Sequence, residues 1–307
     1  MNPDEHTIAE HMLDVGHGHT LYIQDWGNKK AKKPIIFLHG GPGDGCKDKN
    51  KLPFDPKTQR VIFHDQRGAG KSTPLGHWHH NNTQELAADI TKVADYLNIN
   101  QFILTGNSWG STLALYYAIQ QPKRVSGLVI GAIWTCSKRE LDWEKQGGYR
   151  THFPEAWEAL LSATPIAHHN DPLAFHFEQI LGDDPAAAKQ SAIVYATVAG
   201  RVMALDDNYS PINPTAFDPS ATEINVRYML KNCFLPDRFI LKNASKLKMP
   251  VYIIHGRYDM LCPPETAYEL HQSIAQSQLS WVIGGHRQEH EMITMKRLIY
   301  RQLTTGK

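Results

Sequence analysis

Ser108 stands in a five-residue motif whose residue types and spacing are suited to nucleophilic catalysis. Residues 106–110 read GNSWG, directly after an apolar run at residues 101–105 and before a helical run at residues 112–120. Between a buried strand and a helix, two glycines permit a sharp turn that holds the serine hydroxyl exposed in a strained conformation. The five letters alone are a weak signal, so it is this setting that predicts Ser108 as a nucleophile.

His286 and Asp259 are the residues expected to activate that serine. A serine hydroxyl is a poor nucleophile unless a base accepts its proton, and the base needs a carboxylate that fixes its tautomer. The strand-like run at residues 250–255 leads into Asp259, and the run at residues 279–283 leads into His286. This order predicts His286 as the general base and Asp259 as the group that orients it. His290 is the nearest alternative base, but we expect it inside the last helix.

A glycine-rich loop is the expected source of hydrogen bonds to the oxyanion of the transition state. Acyl transfer places negative charge on the former carbonyl oxygen, and two preorganised backbone N–H groups normally stabilise it. One is expected from Trp109, the residue after the nucleophile. The other is expected from the sequence HGGPG at residues 39–43, which follows an apolar run at residues 34–38. Within this loop we assign Gly41 as the donor.

Strand and helix signals alternate around these motifs. Short runs typical of strands occur at residues 20–26, 34–38, 60–64, 101–105, 125–130, 250–255 and 279–283. Helical patterns begin at Thr83, Thr112 and Pro264, and a final helix extends to about Leu303. The alternation requires crossover connections, so it predicts an α/β fold with a mostly parallel, doubly wound sheet.

The alternation stops near Trp134 and resumes at Pro250. The intervening residues contain aromatic and aliphatic side chains at helical spacing but no strand-like runs. We therefore expect an inserted helical cap at residues 135–247. The first part of the core is then residues 1–134, and the second part is residues 248–307.

Charge gives no argument for a nucleic-acid or membrane partner. Lys and Arg total 32 and Asp and Glu total 31 among 307 residues, which leaves a formal net charge of +1. A chain this balanced lacks the basic excess of nucleic-acid or anionic-membrane binding, so we expect a small-molecule or short-peptide substrate. The longest apolar run, residues 125–134, is roughly half of what a membrane span needs. The sequence does not indicate an oligomeric state.

The cysteines and histidines favour neither a disulfide framework nor a metal site. The four cysteines are scattered without CxxC spacing, which is typical of reduced thiols, and the N-terminus does not have the pattern of a secretory signal. We therefore expect a cytoplasmic protein. The histidine clusters lack carboxylates at metal-ligand spacing, so no metal is expected. These clusters are residues 77–80 and the pair His168 and His169.

Four motifs, in this order along the chain, resemble signatures of the proline iminopeptidases of the α/β-hydrolase superfamily. They are HGGPG (39–43), DQRGAGKS (65–72), GNSWGSTLAL (106–115) and HGRYD (255–259). The segment FPEAWE at residues 153–158 is similar to the start of the family's cap. The resemblance implies an α/β-hydrolase fold with an inserted helical cap. It also implies release of an N-terminal residue, typically proline, from short peptides, without a metal or organic cofactor.

The resemblance also indicates where the substrate's amino terminus binds. The family usually carries two cap glutamates there, and the matching positions here are the shorter acid Asp206 and the neutral Asn225. Glu223 replaces the missing acid only if its segment is not helical or the alignment with the family has slipped, because residues two apart on a helix point to nearly opposite sides. We assign Trp134, Asp206 and Asn225 to the substrate pocket and expect weaker recognition of a free amine than the family name implies.

Two other functions stay open at this point. One is an esterase or amidase that acts on uncharged small substrates with the same core. The other is a hydrolase-like protein whose pocket only binds a ligand. Related enzymes that use a carboxylate nucleophile are excluded, because position 108 is serine.

Overall fold

The computed structural model describes residues 3–205, 212–287 and 290–305. Its centre is an eight-stranded sheet in the order β1-β2-β4-β3-β5-β6-β7-β8. The strands are β1 (Thr7–Gly16), β2 (His19–Gly27), β3 (Ile35–Leu38), β4 (Arg60–His64), β5 (Phe102–Ser108), β6 (Val125–Ile133), β7 (Val251–Gly256) and β8 (Ser277–Val282). The pairs β1–β2 and β2–β4 are antiparallel and the remaining five pairs are parallel, which confirms the predicted fold class.

Helices cover the sheet. They are α1 (Thr83–Tyr96), α2 (Trp109–Gln120), α3 (Lys138–Lys145), α4 (Pro154–Ser162), α5 (Pro172–Ile180), α6 (Pro185–Val202), α7 (Ser220–Leu230), α8 (Phe239–Asn243), α9 (Pro264–Ser273) and α10 (His290–Thr305). Strands β3 and β7 are buried along their whole length, as continuous apolar runs between two helical layers should be. None of the helices among the described residues is long and apolar enough to cross a membrane.

The first strand was not predicted from the sequence. Strand β1 forms a hairpin with β2 at the edge of the sheet, and Val15 is its one buried residue. A strand with so little burial has no continuous apolar run to mark it, which is why the sequence showed only a short leading segment.

Six helices, α3 to α8, lie between β6 and β7. The residues described there form no strand, in agreement with the helical character predicted for that segment. Their inward faces carry apolar side chains such as Leu173, Phe177 and Val198, which belong to the same buried cluster as the sheet. The division into a core and a cap at residues 135–247 stays a prediction.

Two strands extend beyond their predicted ends, toward the motifs described above. Strand β5 continues through the glycine-rich motif to Ser108, and β6 continues to Ile133. Their pairing shifts register between Asn107 and Ser108. This irregularity places the serine at the carboxyl end of a central strand, the edge of the sheet at which open α/β sheets bind ligands.

Candidate active site

Ser108 occupies the turn from β5 into α2. Its backbone φ is +54°, a left-handed conformation that a residue with a side chain rarely adopts. The flanking glycines make this turn possible. A Cβ on Gly106 would lie 2.4 Å from the Gly110 carbonyl oxygen, and a Cβ on Gly110 would lie 2.3 Å from the Leu38 carbonyl oxygen. No side chain fits at either position, so the motif is required by backbone packing as well as by chemistry.

Asp259 and His286 form a buried hydrogen-bonded pair. The His286 Nδ1 group lies 3.0 Å from Asp259 Oδ2 and 3.2 Å from Oδ1. Asp259 also accepts hydrogen bonds from the backbone N–H groups of Leu261 and Cys262 at 3.1 and 2.8 Å. With Nδ1–H donated to the carboxylate, the imidazole has the tautomer that leaves Nε2 able to accept a proton.

The pKa values of this pair shift in opposite directions. Burial by itself raises the pKa of Asp259, but the charge and hydrogen bond of His286, with smaller contributions from His255 and the Cys262 N–H group, together outweigh burial and lower it. Burial by itself lowers the pKa of His286, but the charge and hydrogen bond of Asp259, with smaller contributions from the charges of Asp44 and Glu144, together outweigh burial and raise it. Each partner therefore favours the charged form of the other, which is what a base that must carry a proton transiently requires.

A cavity of about 440 Å³ is lined by several of the predicted site residues, although Asp259 and Trp109 are not among its described lining residues. Ser108 and His286 line it, and so do Gly41, Trp134 and Asn225. Asp206 lies outside the described residues. Segment α7 is helical, and Asn225 faces the cavity whereas Glu223 is not among its described lining residues. Glu223 therefore does not replace the missing acid.

The glycine-rich loop at residues 39–43 packs against the serine. A Cβ on Gly40 would lie 3.8 Å from the Ser108 Cβ atom, and Gly41 has a φ of +104° that favours glycine. Because backbone approaches the serine this closely, the loop is in position to present N–H groups to a carbonyl bound at Ser108.

Gln66 connects that loop to the residue after the serine. Its backbone N–H donates to His39 Nε2 at 2.9 Å, and its side-chain Nε2 donates to the His39 carbonyl oxygen at 3.1 Å. Its Oε1 accepts from the Trp109 indole N–H at 2.8 Å. All three residues are buried. Gln66 of the DQRG motif, whose role the sequence left open, therefore joins the start of the glycine-rich loop to Trp109.

A chain of hydrogen bonds among residues that line the cavity joins three helices to this loop. The Tyr195 hydroxyl in α6 lies 2.9 Å from Glu144 Oε1 in α3 and 3.1 Å from Asn225 Oδ1 in α7. The Asn225 side-chain N–H donates to the Gly41 carbonyl oxygen at 3.0 Å. Sequence reasoning missed Glu144 and Tyr195, since the spacing of residues in three separate helices does not show which faces meet.

Lys296 lies buried behind the serine. Its Nζ donates to Asn107 Oδ1 at 2.5 Å, and burial lowers its pKa to about 7. The pair occupies the side of the turn that α10 covers. Asn107, within the GNSWG motif, is thus tied to the last helix of the chain.

Asp259, Cys262 and His286 form the one group of potential metal ligands among residues 3–205, 212–287 and 290–305. Their ligand atoms lie within 4.8 Å of one another. A metal ion there would take the carboxylate and the imidazole from their mutual hydrogen bond, so the geometry suits proton transfer better than metal binding.

Comparison with known proteins assigns the fold. The family described as alpha/beta hydrolase fold matches residues 33–286. An esterase from Exiguobacterium antarcticum superposes with a TM-score of 0.66 at 19% identity, over 96% of this chain and 99% of the other. The proline iminopeptidase of Mycobacterium smegmatis superposes with a TM-score of 0.62 at 20% identity, over 97% and 98%. These structural likenesses confirm the predicted fold.

Sequence comparison assigns the family more narrowly. The chain is 35% identical to the proline iminopeptidase of Xylella fastidiosa strain Temecula1 over 90% of each chain. It is 34% identical to the probable proline iminopeptidase of Leptolyngbya boryana, over 87% of this chain and 85% of that one. Identity to the proline iminopeptidase of Neisseria gonorrhoeae is 32% over 89% of each. With this identity along nearly its whole length, the chain belongs to the proline iminopeptidase family of the α/β-hydrolase fold.

Proposed function

We propose that this chain is a serine aminopeptidase that releases an N-terminal residue, proline or a similar one, from short peptides. One observation carries the proposal: Ser108 and His286 line a single cavity, and His286 is hydrogen-bonded to the buried Asp259. The names of the sequence relatives support the choice of substrate. Under this proposal the three residues act as nucleophile, general base and orienting carboxylate.

The chemistry begins with attack on the first peptide carbonyl. His286 Nε2 takes the hydroxyl proton as Ser108 Oγ bonds to the carbonyl carbon, and the carbonyl π electrons move to oxygen. The N–H groups of Gly41 and Trp109 stabilise that oxyanion. The intermediate collapses, the C–N bond breaks, and His286 gives its proton to the leaving amine. Water then repeats the sequence on the acyl-enzyme and releases the free N-terminal residue.

Activity should fall at acidic pH because His286, the proposed general base, becomes protonated. The Asp259 carboxylate raises the pKa of His286 above its usual value, so the imidazole is protonated at a higher pH than in a free histidine. A protonated imidazole has no lone pair for the serine proton. Turnover therefore drops as pH falls through this raised pKa.

Trp134 and Asn225 are proposed as substrate contacts on the cavity wall, and Asp206 stays a predicted contact. We also propose a cytoplasmic location, because all four cysteines are free thiols and reduced thiols are typical of that compartment. The near-zero net charge supports a short peptide rather than a nucleic acid or membrane as the partner.

Arylamides with free and blocked amino groups test the proposal. A prolyl arylamide, its N-acetylated form, other aminoacyl arylamides and a neutral aryl ester should be assayed with the purified chain. We expect the free prolyl arylamide to give the highest kcat/KM. Faster hydrolysis of the ester or the blocked amide would instead favour the esterase or amidase function. Binding without turnover of any of them would favour a ligand-binding protein.

A further inference from the structure

Glu144 is a carboxylate in the cavity that the proposed reaction steps do not use. It lies on α3 and lines the same cavity as Ser108 and His286. It is partly buried and accepts a hydrogen bond from the buried Tyr195 hydroxyl. Among the residues that the structure describes, no cationic side chain forms an ion pair with it. A carboxylate removed from water in this way needs positive charge or further donors.

From this placement we propose that Glu144 binds the charged amino or imino terminus of the substrate and so determines specificity for a free terminus. The inference rests on the proposed aminopeptidase function. It assigns the amine-binding role to α3, whereas the family resemblance pointed to the positions of Asp206 and Asn225.

Among the described residues, the one side-chain donor to the Glu144 carboxylate is the Tyr195 hydroxyl, which Glu144 shares with Asn225. A phenol has a single hydrogen, yet its oxygen lies within 3.1 Å of both Glu144 Oε1 and Asn225 Oδ1. One hydrogen cannot serve both acceptors. Burial accordingly raises the pKa of Glu144, with the Tyr195 hydrogen bond and the charges of His286 and Lys145 opposing it. An ammonium group brings the missing N–H donors together with positive charge, which favours the carboxylate form.

The other described polar groups of the cavity are less suited to an amine. Asn225 is neutral, and its amide nitrogen already donates to the Gly41 carbonyl oxygen. Asp44 is exposed to solvent, where an ion pair contributes little. Lys49 and Arg287 also line the cavity but carry positive charge, which repels an ammonium group. Glu144 is thus the one partly buried carboxylate among the described lining residues.

The position of Glu144 relative to the base fits the removal of a single residue. In a peptide the terminal nitrogen is separated from the first carbonyl carbon by Cα alone, so a group that binds the amine must lie close to the nucleophile. Glu144 and His286 are near enough that the charge of each alters the pKa of the other. A longer N-terminal extension would place its ammonium away from Glu144 and leave that carboxylate without a partner.

Glu144→Gln tests the proposal, because glutamine keeps the size and an acceptor for Tyr195 but removes the charge. We expect the ratio of kcat/KM for free over N-acetylated prolyl arylamide to fall by roughly 30-fold or more, mainly through a higher KM for the free substrate. The matched control is Asp142→Asn on the same helix, an acid paired with Lys138 away from the cavity. This control should keep the wild-type ratio. Labelling by a fluorophosphonate verifies an intact site in each variant.

The outcomes separate this inference from the proposed function. If wild type prefers the free substrate and Glu144→Gln keeps that preference, Glu144 does not bind the amine while the aminopeptidase function stands. If wild type does not distinguish free from blocked substrates, both fail. Should Glu144→Gln not fold, Glu144→Asp is used instead: shortening the acid must lower the ratio, and an unchanged ratio overturns the proposal.

Discussion

The two sides of the cavity are built in different ways. On the sheet side, Ser108 is the last residue of β5, and Asp259 and His286 follow the carboxyl ends of β7 and β8. On the helical side, Glu144, Tyr195 and Asn225 come from α3, α6 and α7, which approach one another through packing. Parallel strands in register bring their ends to one edge of the sheet whatever the loops contain. Helices have no such register, so a change of packing changes which side chains meet.

This difference suggests a division of labour between reaction and specificity. The strained serine turn and the buried acid are held by backbone contacts that leave no room for change, as the Cβ distances at Gly106 and Gly110 illustrate. The helical side holds its polar groups by hydrogen bonds of the Tyr195 and Asn225 side chains. We therefore expect substitutions on the sheet side to abolish turnover, and substitutions on the helical side to change substrate preference.

The largest effect is expected from Ser108→Ala. Loss of the nucleophile removes the covalent route, so kcat should fall by roughly 10⁴-fold or more for every substrate while the thermal unfolding midpoint stays near that of wild type. A fluorophosphonate should label wild type at Ser108, as mass spectrometry of the peptides will reveal. Ser162→Ala, at an exposed serine of α4, is the control and should keep full activity. Turnover close to that of wild type, or labelling of Ser108→Ala by the fluorophosphonate, would place the nucleophile elsewhere.

Asp259→Asn should have the next largest effect. An amide in place of the carboxylate permits the wrong imidazole tautomer and cannot stabilise the imidazolium, which predicts a loss of roughly 10³- to 10⁴-fold in kcat. The acidic limb of the pH–rate profile should also move to lower pH, because the charge and hydrogen bond of Asp259 contribute more to the raised pKa of His286 than the charges of Asp44 and Glu144 do. Stopped or continuous assays across pH give both quantities. A nearly neutral substitution would mean that another carboxylate orients the histidine.

Most of the sheet side could be predicted from the sequence. Buried strands are continuous apolar runs, and the turns after them carry glycine, so the places of Ser108, Asp259 and His286 follow from local patterns. The parts of the sheet that the sequence did not predict have physical reasons as well. Strand β1 buries only Val15 and lacks an apolar run, and the carboxyl end of β5 is made of the motif residues themselves.

The helical side could be predicted only in part. Ser137 and Glu140 form a capping box that marks the start of α3, and Leu141 in its first turns is buried. Glu144 follows Glu140 by four residues and Leu141 by three, so the pattern places it on the inward face. What that face meets depends on the packing of α6 and α7, which no local pattern encodes. The family pattern pointed to Asn225 and Asp206, and it gave no signal for an acid from α3.

Lys296→Met tests how the buried amine of Lys296 affects the stability of the sheet side. The pKa of Lys296 is about 7 in the folded protein against an ordinary value of 10.5, so between these pH values the unfolded chain binds more protons than the folded one. The free energy of unfolding contributed by this lysine therefore rises with pH across that window, by up to about 1.4 kcal/mol per unit, and is flat below it. Methionine has a volume similar to that of lysine but no titratable amine, so Lys296→Met removes this pH-dependent contribution.

Denaturant unfolding of wild type and Lys296→Met at pH 7, 8 and 9 measures that contribution. The free energy of unfolding of wild type should rise relative to the variant as pH increases. Lys242→Met, at a solvent-facing lysine of α8, is the control and should follow the wild-type curve. Parallel curves for wild type and Lys296→Met would mean that the amine is hydrated and titrates normally.

The smallest effect is expected from Tyr195→Phe, on the helical side. The Tyr195 hydrogen bond opposes the rise in the pKa of Glu144 that burial causes, so its removal raises that pKa further. If Glu144 binds the substrate amine as a carboxylate, kcat/KM for the free prolyl arylamide falls by roughly tenfold or less at neutral pH, and its acidic limb moves to higher pH. The rate of hydrolysis of a neutral aryl ester depends on the protonation of His286 but not of Glu144, so the acidic limb for the ester should stay in place.

The control is Tyr117→Phe, which removes a hydroxyl that is hydrogen-bonded to Thr91 away from the cavity. If the acidic limb moves equally for the ester and the arylamide, Tyr195 acts on the pKa of His286. The helical side would then affect the reaction itself as much as substrate specificity.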